Sequence, residues 1–166
     1  MSEIERRVGR AVRDHGAFEP RDGREYVSTT TPFDATLDVA PAGEGRISFT
    51  VRVRVPMLNE VADDHVAAVV EEGWLETFQL RVTDVGGVLQ GDHELSPTVR
   101  QEETHVVVET SFEELDERRG VDDAGALVNF VEGTYAQGII PGYEYTDPVG
   151  EMIEGARQGA NGGRNG

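Results

Sequence analysis

The sequence predicts an α+β fold: an antiparallel sheet of about four to six strands with helices packed on one face. Between Phe33 and Val55 two stretches alternate apolar and polar residues about a Pro/Gly-rich turn, the signature of a strand pair. That alternation leaves one face apolar and one polar, as in antiparallel sheets that bury a single side. The third observation is the stretch Ala124–Tyr145, AGALVNFVEGTYAQGIIPGYEY, whose only carboxylates are Glu132 and Glu144 in a chain crowded with them. It predicts a central buried helix followed by an ordered turn.

Taken in order, Ser2–His15 reads as the first helix, with Ser2 and Glu5 spaced as a capping box and Ile4, Val8, Ala11 and Val12 on one face. Arg6, Arg10 and Arg13 make a basic stripe on the other face, with Arg7 beside it. The stripe fits either docking to an acidic partner or a phosphate backbone, or pairing with the protein's own abundant carboxylates, and the last reading is preferred. Gly16–Arg24 reads as a loop and Glu25–Thr30 as a short edge strand. Phe33, Ala35, Leu37 and Val39 point inward along one strand. After a turn at Ala40–Gly45, Ile47, Phe49, Val51, Val53 and Val55 do so along the next. Folding the pair about that turn sets Asp34 opposite Arg52.

Pro56 ends the strand, and Asp63 or Asp64 is placed to cap a second helix through Val66, Val69, Val70 and Trp74. For residues 75–85 the alternation of Phe78, Leu80 and Val82 with polar neighbours, and Gly73 as a break, favours a strand over a continued helix. Gly86-Gly87 turns the chain, and Leu95–Arg100 is a strand confined to an edge by Pro97. Thr104–Phe112 carries Val106, Val108, Thr110 and Phe112 on one face. Glu113–Gly120 reads as a charged linker. The central helix then starts at Asp122 or Asp123 and buries Leu127, Val128, Val131, Thr134 and Tyr135, with Phe130 widening the stripe. Gly133 would permit close approach of another backbone, Gly138 a left-handed cap, and Ile140-Pro141-Gly142 a turn. Tyr143 and Tyr145 follow on a short extended segment laid back on the fold. Asp147-Pro148 opens a last amphipathic helix with Val149, Met152, Ile153 and Ala156 together. Residues 1–158 read as a single α+β domain and 159–166 as a disordered Gly/Asn-rich tail.

The 166 residues include 32 acidic and 15 basic ones, net charge −17, and every basic residue is Arg. Such self-repulsion opposes a compact state in dilute buffer, yet at 1 M salt the screening length is only about 3 Å. Acidity without lysine therefore predicts a cytoplasm kept at molar salt, where exposed charge is too screened to hold nucleic acid. Cysteine is absent, which excludes disulfides, thiol catalysis and cysteine metal sites. No apolar run is long enough for a membrane span and the N-terminus lacks a signal-peptide core, so the expectation is a cytoplasmic chain with no membrane partner.

Catalytic signatures are missing: there is no G-x-S-x-G elbow, no H-E-x-x-H and no phosphate loop. Asp63-Asp64-His65 and Asp92-His93 would make a metal site only if their loops met, and Asp-Asp-His is equally a helix start, so no metal or cofactor is assigned. His105 reads as a surface residue. The candidate binding residues are the large aromatics Trp74, Phe78, Tyr135, Tyr143 and Tyr145, placed near a groove between central helix and sheet. The plainer reading makes them a core rim whose tyrosine hydroxyls reach water.

Gly73-Trp-Leu-Glu-Thr-Phe78 and Phe130-Val-Glu-Gly-Thr-Tyr-Ala-Gln-Gly-Ile-Ile-Pro-Gly-Tyr143 resemble a family of small acidic proteins of unknown function from halophilic archaea. The resemblance covers most of residues 1–158 and implies no activity, cofactor or catalytic residue. The order of strands and helices also resembles secretion-chaperone-like α+β domains, which bind other proteins. Sequence thus favours a non-enzymatic protein-interaction or chaperone-like module that takes another protein or a second copy. The alternative is a small-molecule binding or hydrolytic protein with a pocket between sheet and helices.

Overall fold

A computed structural model describes residues 3–22, 24–84 and 95–155. Strands β1 (Phe18–Asp22), β2 (Glu25–Ser28), β3 (Asp34–Gly43), β4 (Arg46–Pro56), β5 (Thr98–Glu102) and β6 (His105–Glu114) form one open antiparallel sheet. Their spatial order is β1-β2-β3-β4-β6-β5. The helices are α1 (Glu3–His15), α2 (Leu58–Val61), α3 (Ala68–Val82), α4 (Glu117–Gln137) and α5 (149–155). The fold is α+β, as the sequence predicts.

The alternating strands put their apolar residues where their period requires. Ala35, Leu37 and Val39 of β3, all five inward residues of β4, and Val106, Val108, Thr110 and Phe112 of β6 are buried. Helix α4 lies over β4 and β6, flanked by α1, which reaches β1 and β3, and by α3. Val8, Ala11 and Val12 of α1 are buried as predicted, with Ile4 packed beside them; the proposed cap at Ser2 lies outside the described residues. Leu127, Val128, Val131, Thr134 and Tyr135 face the core.

Several expectations are corrected. The β3–β4 turn is not Ala40–Gly45: both strands run on, pairing Pro41 with Ile47 and Gly43 with Arg46. Only Glu44 (φ 55°) and Gly45 (φ 77°) remain between the last pair, the doubly left-handed two-residue hairpin. The shorter turn and the bulge between Pro41 and Gly43 together shift the register by two residues, so Asp34 faces Arg54, and Arg52 instead bonds Glu109 of β6 at 2.7 Å. Within the expected loop at Gly16–Arg24, Phe18–Asp22 pair with β2 as the true edge, which makes β2 an inner strand. Pro20 is tolerated there because an edge strand leaves half its amides free of the ladder.

Residues 75–82, read as a strand, continue α3 without a break at Gly73. Phe78 and Val82 are helical neighbours at i and i+4 and both are buried, whereas Leu80, which completed the period-two pattern, is 71% exposed. That helix is not capped by Asp63 or Asp64: it starts at Ala68 after the one-turn α2, and Val69 points outward. The charged linker at Glu113–Gly120 is also absent. Strand β6 runs to Glu114, and Asp116 caps α4, its carboxylate accepting from the N–H groups of Arg118 and Arg119 at 2.9 and 3.1 Å. Asp123, expected at the cap, is 1% exposed inside the helix. Close approach falls at Gly120 rather than Gly133: a Cβ on Gly120 would sit 2.2 Å from Phe49, while nothing lies within 4 Å of one on Gly133. Gly138 ends the helix with φ −86°, not in the left-handed region. Strand β5 occupies the predicted edge; the turn at Gly86-Gly87, Ala156 and the tail 159–166 lie outside the described residues.

Candidate functional site

Past Gln137 the chain turns at Pro141-Gly142, where Gly142 has φ 96°, and comes back as a strap against the end of α2. The strap is held by backbone pairing. Tyr145 bridges Ala62, the Asp63 N–H donates to the Glu144 carbonyl at 2.8 Å, and the Thr146 N–H donates to the Val61 carbonyl at 2.6 Å. The Tyr145 hydroxyl donates to the Ile140 carbonyl at 2.7 Å and ties the loop to itself. Helix α5 then starts from the strap, the Gly150 N–H donating to the Thr146 carbonyl, and is anchored by the fully buried Val149.

Between the end of α4, the strap and α5 lies a cleft of about 800 Å³. Its apolar lining is Ile139, Ile140, Pro141 and Ile153; Tyr143 and Tyr145, both half-buried, add two rings. Asp63, Glu144, Asp147 and Glu154 bring four exposed carboxylates, and among the described residues no Arg or His lines it. Burial pushes the Tyr145 hydroxyl up from its ordinary pKa, so it stays a neutral donor at physiological pH.

The five predicted aromatics separate. Tyr143 and Tyr145 line the cleft, whereas Trp74, Phe78 and Tyr135 form a buried cluster where α3 meets α4. The Trp74 and Phe78 rings stack at 5.7 Å, and Tyr135 sets its edge against Trp74, Phe78 and Phe33 at 5.6, 6.2 and 5.0 Å. The Tyr135 hydroxyl donates to the Pro56 carbonyl at 3.0 Å, and burial raises its pKa far above the ordinary tyrosine range. Trp74 Nε1 is buried without a hydrogen-bond partner among the described residues, and a Cβ on Gly138 would lie 3.7 Å from it. The sole tryptophan thus sits behind the residue that leads into the cleft wall.

Sequence reasoning missed the carboxylates of the cleft. In the sequence Asp63 has the features of a helix cap, and only the strap brings it beside Glu144 and Asp147. The amphipathic pattern after Asp147-Pro148 was the one available signal that α5 would supply a wall. Elsewhere, Asp34, Arg54, Glu60 and His105 line a smaller pocket of about 240 Å³, with the His105 Nδ1 2.9 Å from Thr104 Oγ1. Of the α1 arginines, Arg7 pairs with Glu117 at 2.8 Å. Arg6, Arg10 and Arg13 are exposed and make no ion pair among the described residues, contrary to the preferred reading of self-pairing. Asp92 and His93 lie outside the described residues, among which no group of three His, Asp or Glu is placed to hold a metal. Among those residues no helix is long and apolar enough to cross a membrane.

No curated protein and no solved structure matches the chain. One family model does, over residues 13–155, nearly the whole length of the fold just described. The chain belongs to that family, a family of unknown function (DUF5813).

Proposed function

We propose that the protein is a non-enzymatic interaction module, chaperone-like in use, of a halophile's cytoplasm, and that its partner docks in the cleft between α4, the strap and α5. The observation that carries the reading is the cleft itself: a concavity of about 800 Å³ that holds Tyr143 and Tyr145 half-exposed on a strap pinned by backbone bonds. Rigid aromatic rings beside aliphatic walls supply contact area at little entropic cost. The halophile setting is supported by the charge of −17 carried without lysine.

A pocket between sheet and helices has little support. The space bounded by Val51, Val53, Val82, Val108, Thr110, Leu127 and Val131 is about 10 Å³, room for a single water. A small ligand in the cleft is the surviving form of the alternative, favoured by a volume within the usual range of ligand sites. The test replaces Tyr143→Ser together with Tyr145→Ser and compares affinity capture from native high-salt lysate, with mass identification, and sedimentation. Loss of a specific captured partner by at least about tenfold, with circular dichroism unchanged, is the expected result. Equal recovery and equal mass for both proteins would remove the reading.

A further inference from the structure

We infer that the cleft recognises a basic segment of a partner protein, one in which arginine or lysine side chains are interspersed with aliphatic ones. The inference deepens the docking role proposed above and rests on it. Of the thirteen described residues that line the cleft four are carboxylates and none is basic, a denser acidity than the 32 acidic and 15 basic residues among 166 in the whole chain.

The placement of those carboxylates decides the class of ligand. Asp63 follows α2, Glu144 lies on the strap, Asp147 precedes α5 and Glu154 lies on it, and no three of them are placed to share one ion. A bare cation needs several oxygens around one point, and no such group exists among the described residues. The aliphatic lining of Ile139, Ile140 and Ile153 gives nothing to a polyamine beyond its methylenes, but it accepts the alternate side chains of a peptide. A guanidinium in direct contact with a rim carboxylate lies within the screening length of about 3 Å at 1 M salt, so that pair outlasts the long-range attraction that salt removes, and the rings of Tyr143 and Tyr145 add cation–π attraction.

The experiment titrates the intact chain with a labelled peptide alternating Arg and Leu, and with Glu/Leu and Ser/Leu counterparts, reading peptide anisotropy and Trp74 emission in salt that keeps the protein folded. A chain this acidic attracts any basic peptide diffusely, so location is tested with matched variants. Asp63→Asn with Glu144→Gln and Glu154→Gln removes charge at the cleft; Glu19→Gln, Glu72→Gln and Glu76→Gln removes as much from exposed sites elsewhere. The Arg/Leu peptide should bind, the cleft variant should weaken it by about tenfold or more, and the distant variant by less than about twofold.

Equal weakening by both variants, or equal binding of the Ser/Leu peptide, would overturn the inference. Binding of the Ser/Leu peptide that is lost in the Tyr143→Ser, Tyr145→Ser protein would do so while leaving the docking cleft in place; no peptide bound by any form, with partner capture also unaffected, would sink both. A mass that rises with concentration and collapses on Arg6→Gln, Arg10→Gln, Arg13→Gln would put a second copy's α1 in the cleft and remove the foreign partner.

Discussion

Gly120 and Gly133 both interrupt α4 with a residue that weakens helices, yet their surroundings are opposite. A Cβ on Gly120 would meet Phe49 Cζ at 2.2 Å and Cε2 at 2.3 Å, and that fully buried ring is stacked on Phe112 at 5.2 Å with nowhere to go. Gly120→Ala should therefore lower stability by about 1–3 kcal/mol through overpacking. At Gly133 nothing lies within 4 Å of the added methyl, so Gly133→Ala should raise stability by roughly 0.5–1 kcal/mol. Urea denaturation of the two variants checks both signs, and a stabilising Gly120→Ala would refute the contact with Phe49.

At the scale of the element, α4 depends on how it starts. Asp116 accepts two backbone N–H groups, and those bonds, the one from Arg119 foremost, hold its carboxyl below the ordinary 3.8. The side-chain bond from Arg7 holds Glu117 below 4.5 and ties α1 to the same turn. A carboxylate whose folded-state pKa is depressed contributes stability that is complete above its unfolded value and is lost as pH falls through the folded one. Asp116→Ala should cost about 0.5–2 kcal/mol near neutrality, and the gap to wild type should narrow as pH drops below about 3.8. Denaturant midpoints at pH 6 and pH 3 measure it; a gap of constant size would show that the cap is not made by the ionised group.

For the whole molecule, salt acts on two opposed sets of interactions. Ion pairs such as Arg24–Glu5 at 2.9 Å and Arg118–Asp14 at 2.6 Å link distant segments, but their side chains are partly exposed and each is worth about 0–1 kcal/mol before screening. Against them stands the self-repulsion of a net charge of −17. Screening removes more repulsion than attraction, so the unfolding midpoint should climb between about 0.1 and 2 M KCl. Thermal melts across that range test it, and a flat or falling midpoint would contradict adaptation to molar salt.

Sequence alone determined which way residues face on the elements with a clean period. Val8, Ala11 and Val12 of α1, the inward rows of β3, β4 and β6, and Leu127, Val128, Val131, Thr134 and Tyr135 of α4 are buried as their spacing predicts. A half-buried element writes its orientation locally, because a one-residue error would exchange its two faces. The tertiary structure decided what such a pattern leaves open. A two-residue shift of register keeps every face, so the Glu44-Gly45 hairpin and the bulge between Pro41 and Gly43 together set Asp34 against Arg54. Phe78 and Val82 fit either period until packing against Tyr135 and the sheet left Leu80 outside. Strand β1 has no apolar alternation of its own and exists because β2 offers it a ladder. The cleft is the furthest from local control: Asp63 is remote in sequence from Glu144, Asp147 and Glu154, and the backbone pairing of the strap with Val61–Asp63 brings it to them.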